Sequence, residues 1–202
     1  KAARGTEAPA TLHAARDARI AAETLQEHAW RFLVDWPRLA GRAPEVEALA
    51  RGRRALAPLL ESGDPAGEGG ARDQAVAWAS EVVFGRTPAA FLDIDSLDGL
   101  GAWMREASTP VASLAEALLS RNPALGASDV ELLPYGDDRW VAMALAPAID
   151  ADAHFDDAPT WRGGARETGP LARTGGHPLV ADAASRWGRG AGTRLVARLV
   201  DM

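Results

Sequence analysis

Glu167-Thr168-Gly169-Pro170-Leu171-Ala172-Arg173 (ETGPLAR) sets a rigid turn between an acid and an arginine. Gly-Pro is a loop signal, yet the residues after it turn apolar and helix-like. The stretch follows Pro159-Thr160-Trp161-Arg162-Gly163-Gly164, itself rich in turn formers. What the acid and the arginine are for decides how the chain is read.

Outward from this segment the charge changes sign. Residues 161–202 carry seven Arg against Glu167, Asp182 and Asp201, a balance of +4. The whole chain of 202 residues has net charge −6, so the remainder holds −10. A basic end on an acidic body suits docking to an acidic partner or another protein. For most of these arginines the plainer role is to cap and solvate a C-terminal helix. A net negative chain is not expected to bind nucleic acid.

A chain of this length builds one sizeable domain or two small ones and buries roughly 70% of its unfolded surface. Its composition, 47% hydrophobic and 25% charged, is that of an ordinary globular protein. There is no cysteine. That excludes disulfides, a thiolate nucleophile and any cysteine-ligated metal within these residues, and it fits a reducing compartment. No run approaches the ~20 apolar residues that cross a bilayer, and no signal-peptide pattern is present. We expect a cytoplasmic protein without membrane insertion. The first residue is Lys1 rather than Met, which leads us to expect a piece of a longer chain.

Hydrophobic spacing predicts a mainly helical chain. Ala22, Leu25, Ala29, Phe32 and Trp36 form one stripe of a helix over Thr11 to Trp36, ended by Pro37. Val46, Leu49, Leu56 and Leu60 mark a helix over Pro44 to Glu61, with Pro58 near its end. Gly63 to Gly70 is an exposed loop. A third helix over Ala71 to Phe84 is expected to bury Val76, Trp78, Ala79, Val82 and Val83. Phe91, Ile94 and Leu97 begin a short apolar stretch. Asp95-Ser96 caps a helix from Leu97 to Arg105, and another runs from Val111 to Arg121 before Asn122-Pro123. Glu131 to Tyr135 and Arg139 to Leu145, separated by Gly136-Asp137-Asp138, read as a β-hairpin. A last helix covers Pro178 to Val200. Gly188, Gly190 and Gly192 interrupt it at about 1 kcal/mol each relative to Ala, a sign of a break or of close packing against a neighbouring backbone.

Few residues offer chemistry. Asp150 to Asp157 (DADAHFDD) alternates carboxylates around His154 and is the one stretch resembling a hard-cation site. It lacks the glycine and distant Glu of an EF-hand loop, and a solvated acidic loop is the reading we favour. The other histidines, His13, His28 and His177, show no i, i+4 pairing with one another or with His154. His28, beside Glu27 and near Trp30, reads as a satisfied or exposed helix residue. No Gly-x-Ser-x-Gly elbow and no phosphate-binding glycine loop is present. Seven Trp read mainly as core, one or two as interface.

Together, Pro159 to Gly163 and ETGPLAR resemble a segment of the large subunit of nickel–iron hydrogenases. There a proline-arginine-aromatic stretch leads into a Glu-x-Gly-Pro-Leu-Ala-Arg run, followed by a Gly-Arg…Ala-Arg helix, here Gly188-Arg189…Ala197-Arg198. Arg4-Gly5-Thr6-Glu7 resembles that family's early Arg-Gly-x-Glu motif, and His13 the histidine after its first cysteine pair. The enzymes hold nickel and iron through two Cys-x-x-Cys pairs, because such a centre wants soft thiolates; where the first pair belongs, this chain reads Ala8-Pro9-Ala10-Thr11-Leu12. It is more similar to the cysteine-poor HupK/HoxV group of hydrogenase-assembly proteins, which look like shortened, non-catalytic large subunits. The likeness lies in residues 23–41, including Asp35-Trp36-Pro37-Arg38-Leu39-Ala40-Gly41, and in residues 159–198.

In the resembled fold Gly169-Pro170 makes the tight entry to a helix. Proline fits the first helical turn, where its missing N–H costs nothing, and Glu167 near the helix start is favoured by the dipole. Arg173 then projects from the first turn towards either an acid or a bound anion, and both roles stay open. The resemblance implies a single large-subunit-like domain over 1–202, mainly α with a small hairpin. It implies a non-enzymatic scaffold or chaperone in nickel–iron hydrogenase maturation, assisting assembly or delivery of the iron cofactor. Its partners would be hydrogenase-assembly proteins or the hydrogenase large subunit. Any bound cofactor would be a transient iron complex with cyanide and carbon monoxide ligands, with Arg4, Glu7, His13 and Arg173 as the residues near it. Two alternatives are an interaction module that mimics the large subunit without cofactor and a metal-dependent hydrolase using Asp150 to Asp157.

Overall fold

The computed structural model describes residues 10–62, 70–136, 138–151 and 160–202. The chain is mainly helical, and among the described residues the only β pairings are two isolated bridges, Leu132 with Glu167 and Trp161 with Gly164. The helices divide into two compact units, Lys1–Arg121 with Met202 and Asn122–Asp201.

In the first unit α1 (Ala10–Trp30) runs through a widened π turn, Arg31–Asp35, into α2 (Trp36–Leu39). The stripe expected on α1 is buried: Ala22, Leu25, Ala29 and Phe32 are each 8% exposed or less. The helix does not stop at Trp36, however. The Trp36 amide donates five residues back, to the Arg31 carbonyl. The wider turn carries the chain past Pro37, which has no N–H to give Leu33. The Leu33 carbonyl is instead taken by the Glu45 amide at 2.7 Å. The widening also buries Phe32, Leu33 and Val34 in succession, which a regular 3.6-residue turn does not favour.

α3 (Val46–Ser62) packs on α1 and on α4 (Ala71–Trp78). Its core stripe is Leu49, Gly52, Leu56 and Leu59; Val46 is exposed and Leu60 half-buried. Gly52 sits in that stripe because the Trp78 indole occupies its space, and a Cβ there would lie 2.3 Å from the ring. The Trp78 indole N–H donates to the Ala48 carbonyl at 3.0 Å. α4 continues into a second π turn, Ala79–Phe84, burying Ala79, Val82, Val83 and Phe84, whereas Val76 faces out at 41% exposed. The loop expected at Gly63 to Gly70 lies outside the described residues apart from Gly70. Three short helices follow, α5 (Pro88–Leu92), α6 (Leu97–Glu106) and α7 (Pro110–Leu119). The hydroxyls of Thr87, Ser96 and Thr109 accept from the amides of Ala90, Gly99 and Ala112 respectively, each capping a helix start. Phe84, Phe91 and Trp103 stack in a row, with ring centroids 4.7 and 5.0 Å apart, and the Trp103 N–H donates to the Phe84 carbonyl at 2.7 Å.

In the second unit the expected β-hairpin is absent. Residues 138–150 are helical: α8 (Asp138–Trp140), a third π turn, Val141–Leu145, and α9 (Ala146–Asp150). Ala142, Ala144, Ala146 and Ala148 give this run high helix propensity. Val141 and Met143 are 42% and 74% exposed, so no layer covers the apolar face that an isolated hairpin needs. Glu131 to Tyr135 is extended, but it pairs with Glu167 rather than with residues 139–145. A tight turn does occur at Trp161 to Gly164, where Arg162 and Gly163 have φ of 51° and 76°, as a two-residue hairpin turn requires.

The expected last helix is two helices, α11 (Pro178–Trp187) and α12 (Ala191–Asp201). The glycines between them explain the break. Gly188 has φ 63°. A Cβ on Gly190 would meet the Pro123 carbonyl oxygen at 2.5 Å, and one on Gly192 would meet the Pro123 ring at 2.5 Å. The amides of Ala191 and Gly192 donate to the carbonyls of Leu125 and Pro123, both at 2.8 Å. The core of this unit is Leu171, Leu179, Val180, Ala183, Leu195, Val196, Ala197 and Leu199.

Candidate functional site

Gly169, at φ 91° and ψ −159°, delivers the chain into α10 (Pro170–Thr174), with Pro170 in its first turn. Few non-glycine residues adopt that conformation. The Gly-Pro pair is thus a helix entry, and α10 packs on α12.

The acid and the arginine flanking this turn do not pair with each other. Glu167 takes a bidentate pair from Arg194, Nε to Oε1 at 2.6 Å and NH2 to Oε2 at 2.7 Å, and Arg194 also donates to the Gly126 carbonyl at 3.0 Å. Arg173 grips Asp201 in the same way, Nε to Oδ1 at 2.9 Å with NH2 on Oδ2. Arg194 and Asp201 stand seven residues apart on α12, two turns or ~10 Å along its axis. The motif therefore clamps α12 near both ends. These groups are not fully wet: the Asp201 and Glu167 side chains are 9% and 17% exposed, and both arginine side chains 34%. The hydrogen bond that Arg194 donates to Glu167 raises the arginine's pKa above its ordinary value, against the opposing effect of burial and with the carboxylate's charge adding to the rise. Glu167 is held by its backbone as well. Its amide donates to the Glu131 carbonyl and its carbonyl accepts from Leu133, both at 2.9 Å.

Of the four residues that sequence singled out, Arg4 and Glu7 lie outside the described residues. His13 falls in α1, in the first unit; Arg173 belongs to the second unit and is engaged by Asp201. Sequence missed Arg194 and Asp201 as the partners of the motif. The available signal was their spacing of seven, which puts both on one face of a helix.

The remaining candidates are accounted for by packing. His28 is buried, 1% exposed, and has a partner: no buried side-chain nitrogen or oxygen among the described residues lacks one. His177 caps α11, its Nδ1 accepting from the Leu179 amide at 3.3 Å. Trp78, Trp103 and Trp161 are buried, while Trp30 is half-buried, its N–H on Asp35 at 2.9 Å and the Arg53 guanidinium 5.0 Å over its ring. In the acidic run, Asp150 ends α9, and residues 152–157 lie outside the described residues. Among the described residues no group of three His, Cys, Asp or Glu is placed to hold a metal ion. The chain has no cysteine, and Arg173 is committed to Asp201. No helix among the described residues is long and apolar enough to cross a membrane. Compared with known proteins, the chain matches no family model, no curated protein and no solved structure.

Proposed function

We propose that this protein is a non-catalytic accessory factor in nickel–iron hydrogenase maturation, a scaffold or chaperone acting while the iron cofactor is assembled or handed to the large subunit. The observation that carries the reading is the ETGPLAR clamp. A motif resembling part of a catalytic large subunit is here wholly engaged in holding α12, in a chain without thiolates. Such a segment keeps a large-subunit-like surface and leaves no nickel ligand on it. The Arg173–Asp201 pair also favours a narrower version, in which the protein imitates the large subunit to recruit assembly factors and takes no cofactor.

The test is an infrared spectrum of the full-length protein purified anaerobically from its native host, with its co-purifying proteins identified. Bound carbon monoxide and cyanide absorb where proteins are nearly silent. Bands there together with assembly factors support the cofactor-handling scaffold, and a blank spectrum with the same partners supports the imitator. A blank spectrum with no hydrogenase-related partner overturns both.

A further inference from the structure

Within the second unit a concavity of about 330 Å³ opens between α10, α11 and the residues around Ser128. One side of it is apolar: Leu171 and Val180 are buried core residues, and Leu132 and Ala184 are half-buried beside them, while Ser128 and Asp129 line the other side. At its edge stands Arg189, half-buried, with Nε donating to the Ser128 carbonyl at 3.1 Å. Among the described residues its other two nitrogens meet no protein partner, and no carboxylate lies within ion-pair distance of it. That sets Arg189 apart from Arg166, Arg173, Arg186 and Arg194 of the same unit, each of which is matched to an acid. A half-sequestered guanidinium without a counter-charge is costly to keep, and its planar fork is shaped to take a carboxylate in two parallel hydrogen bonds. An apolar wall with one oriented polar group is the usual composition of a small-ligand site.

We propose that this concavity binds a carboxylate carried on a short branched apolar body, with the carboxylate on Arg189 and the body against Leu132, Leu171, Val180 and Ala184. The same chemistry is offered by a free short-chain acid and by the C-terminal residue of a peptide. Asp129 lines the rim as an exposed carboxylate and opposes an anion weakly, through solvent. The inference stands on the second unit alone and does not depend on the hydrogenase reading.

Calorimetric titration of the full chain with isovalerate tests it. The expected result is saturable one-to-one binding that Arg189→Gln weakens by about tenfold or more, equivalent to ~1.4 kcal/mol. Ala184→Leu, which fills the concavity from a helix position that tolerates leucine, should abolish it. Asp129→Asn should strengthen it by roughly twofold. A tripeptide ending in a free valine carboxylate separates the two sources: tighter binding than isovalerate identifies a chain terminus, and weaker binding a free acid. Isoamylamine, with the same body and opposite charge, should not bind. Absence of isovalerate binding, equal binding of isoamylamine or inorganic phosphate, or unchanged affinity in a folded Arg189→Gln protein would each overturn the proposal.

Discussion

If ETGPLAR is a clamp, its acid should be energetically coupled to Arg194 well beyond an ordinary surface ion pair. Two unit charges ~4 Å apart in a surface-like dielectric attract by about 4 kcal/mol before desolvation is counted. Exposed pairs retain only ~0.2–1 kcal/mol of that in double-mutant cycles. The Glu167–Arg194 pair has three features that preserve more: two short parallel bonds, a carboxylate 17% exposed, and a third donor fixed on the Gly126 carbonyl. We expect a coupling of about 1.5 kcal/mol. The internal reference is Asp182–Arg186, spaced four residues apart on α11 and held by a single 3.0 Å bond, with the arginine 48% exposed; there ~0.3–0.5 kcal/mol is expected.

The assay is urea denaturation of the single and double mutants in each pair, Glu167→Gln with Arg194→Gln and Asp182→Asn with Arg186→Gln, analysed as two cycles. Arg194 adds a pH check. Its folded-state pKa is raised, so its contribution is complete below the unfolded value and is lost only as pH climbs through the folded one, in strong alkali. The coupling should therefore stay level from about pH 6 to 9. A Glu167–Arg194 coupling no larger than that of Asp182–Arg186 would refute the clamp.

Three further substitutions test packing and backbone geometry inside each unit. Gly190→Ala puts a methyl 2.5 Å from the Pro123 carbonyl oxygen; a loss of about 1–3 kcal/mol in thermal unfolding is expected. Gly52→Ala gains ~1 kcal/mol of helix propensity but drives a methyl to 2.3 Å from the Trp78 ring. The net effect should be destabilising, with a changed near-ultraviolet circular dichroism spectrum as the ring shifts. Arg162→Gly relieves a left-handed residue at φ 51° that costs ~1–2 kcal/mol, while losing the guanidinium's contact 5.5 Å from the Trp161 ring, worth ~0.5 kcal/mol at an exposed site. The melting temperature should rise, and a fall would mean that Arg162 is held by something stronger than that ring.

What the sequence disclosed follows the range of each interaction. The α1 stripe from Ala22 to Phe32 and the Ser96 cap depend on neighbours within one or two turns, and the structure has both as expected. Misreadings came where a distant partner decided. Pro37 ends a helix when judged alone, but Glu45, eight residues on, takes the carbonyl that proline orphans. Val46 and Leu60 belong to the expected α3 stripe, but the buried face is the one that Gly52 opens to the distant Trp78 ring. Residues 131–145 place two apolar runs about Gly136-Asp137-Asp138 as a hairpin would, yet strand pairing needs a covered face, and the alanines of the second run favour helix instead. At the candidate site Arg173 was legible from the motif, whereas its partner Asp201 lies 28 residues away.

That distance bears on what keeps the motif's acid and arginine in place. Glu167 and Arg173 each serve α12 through a charge pair, and Gly169-Pro170 fixes the span between them at the two turns separating Arg194 from Asp201. Losing either acid or arginine strands its half-buried partner, a cost independent of any ligand. Selection for folding alone would therefore hold the acid, the turn and the arginine in register.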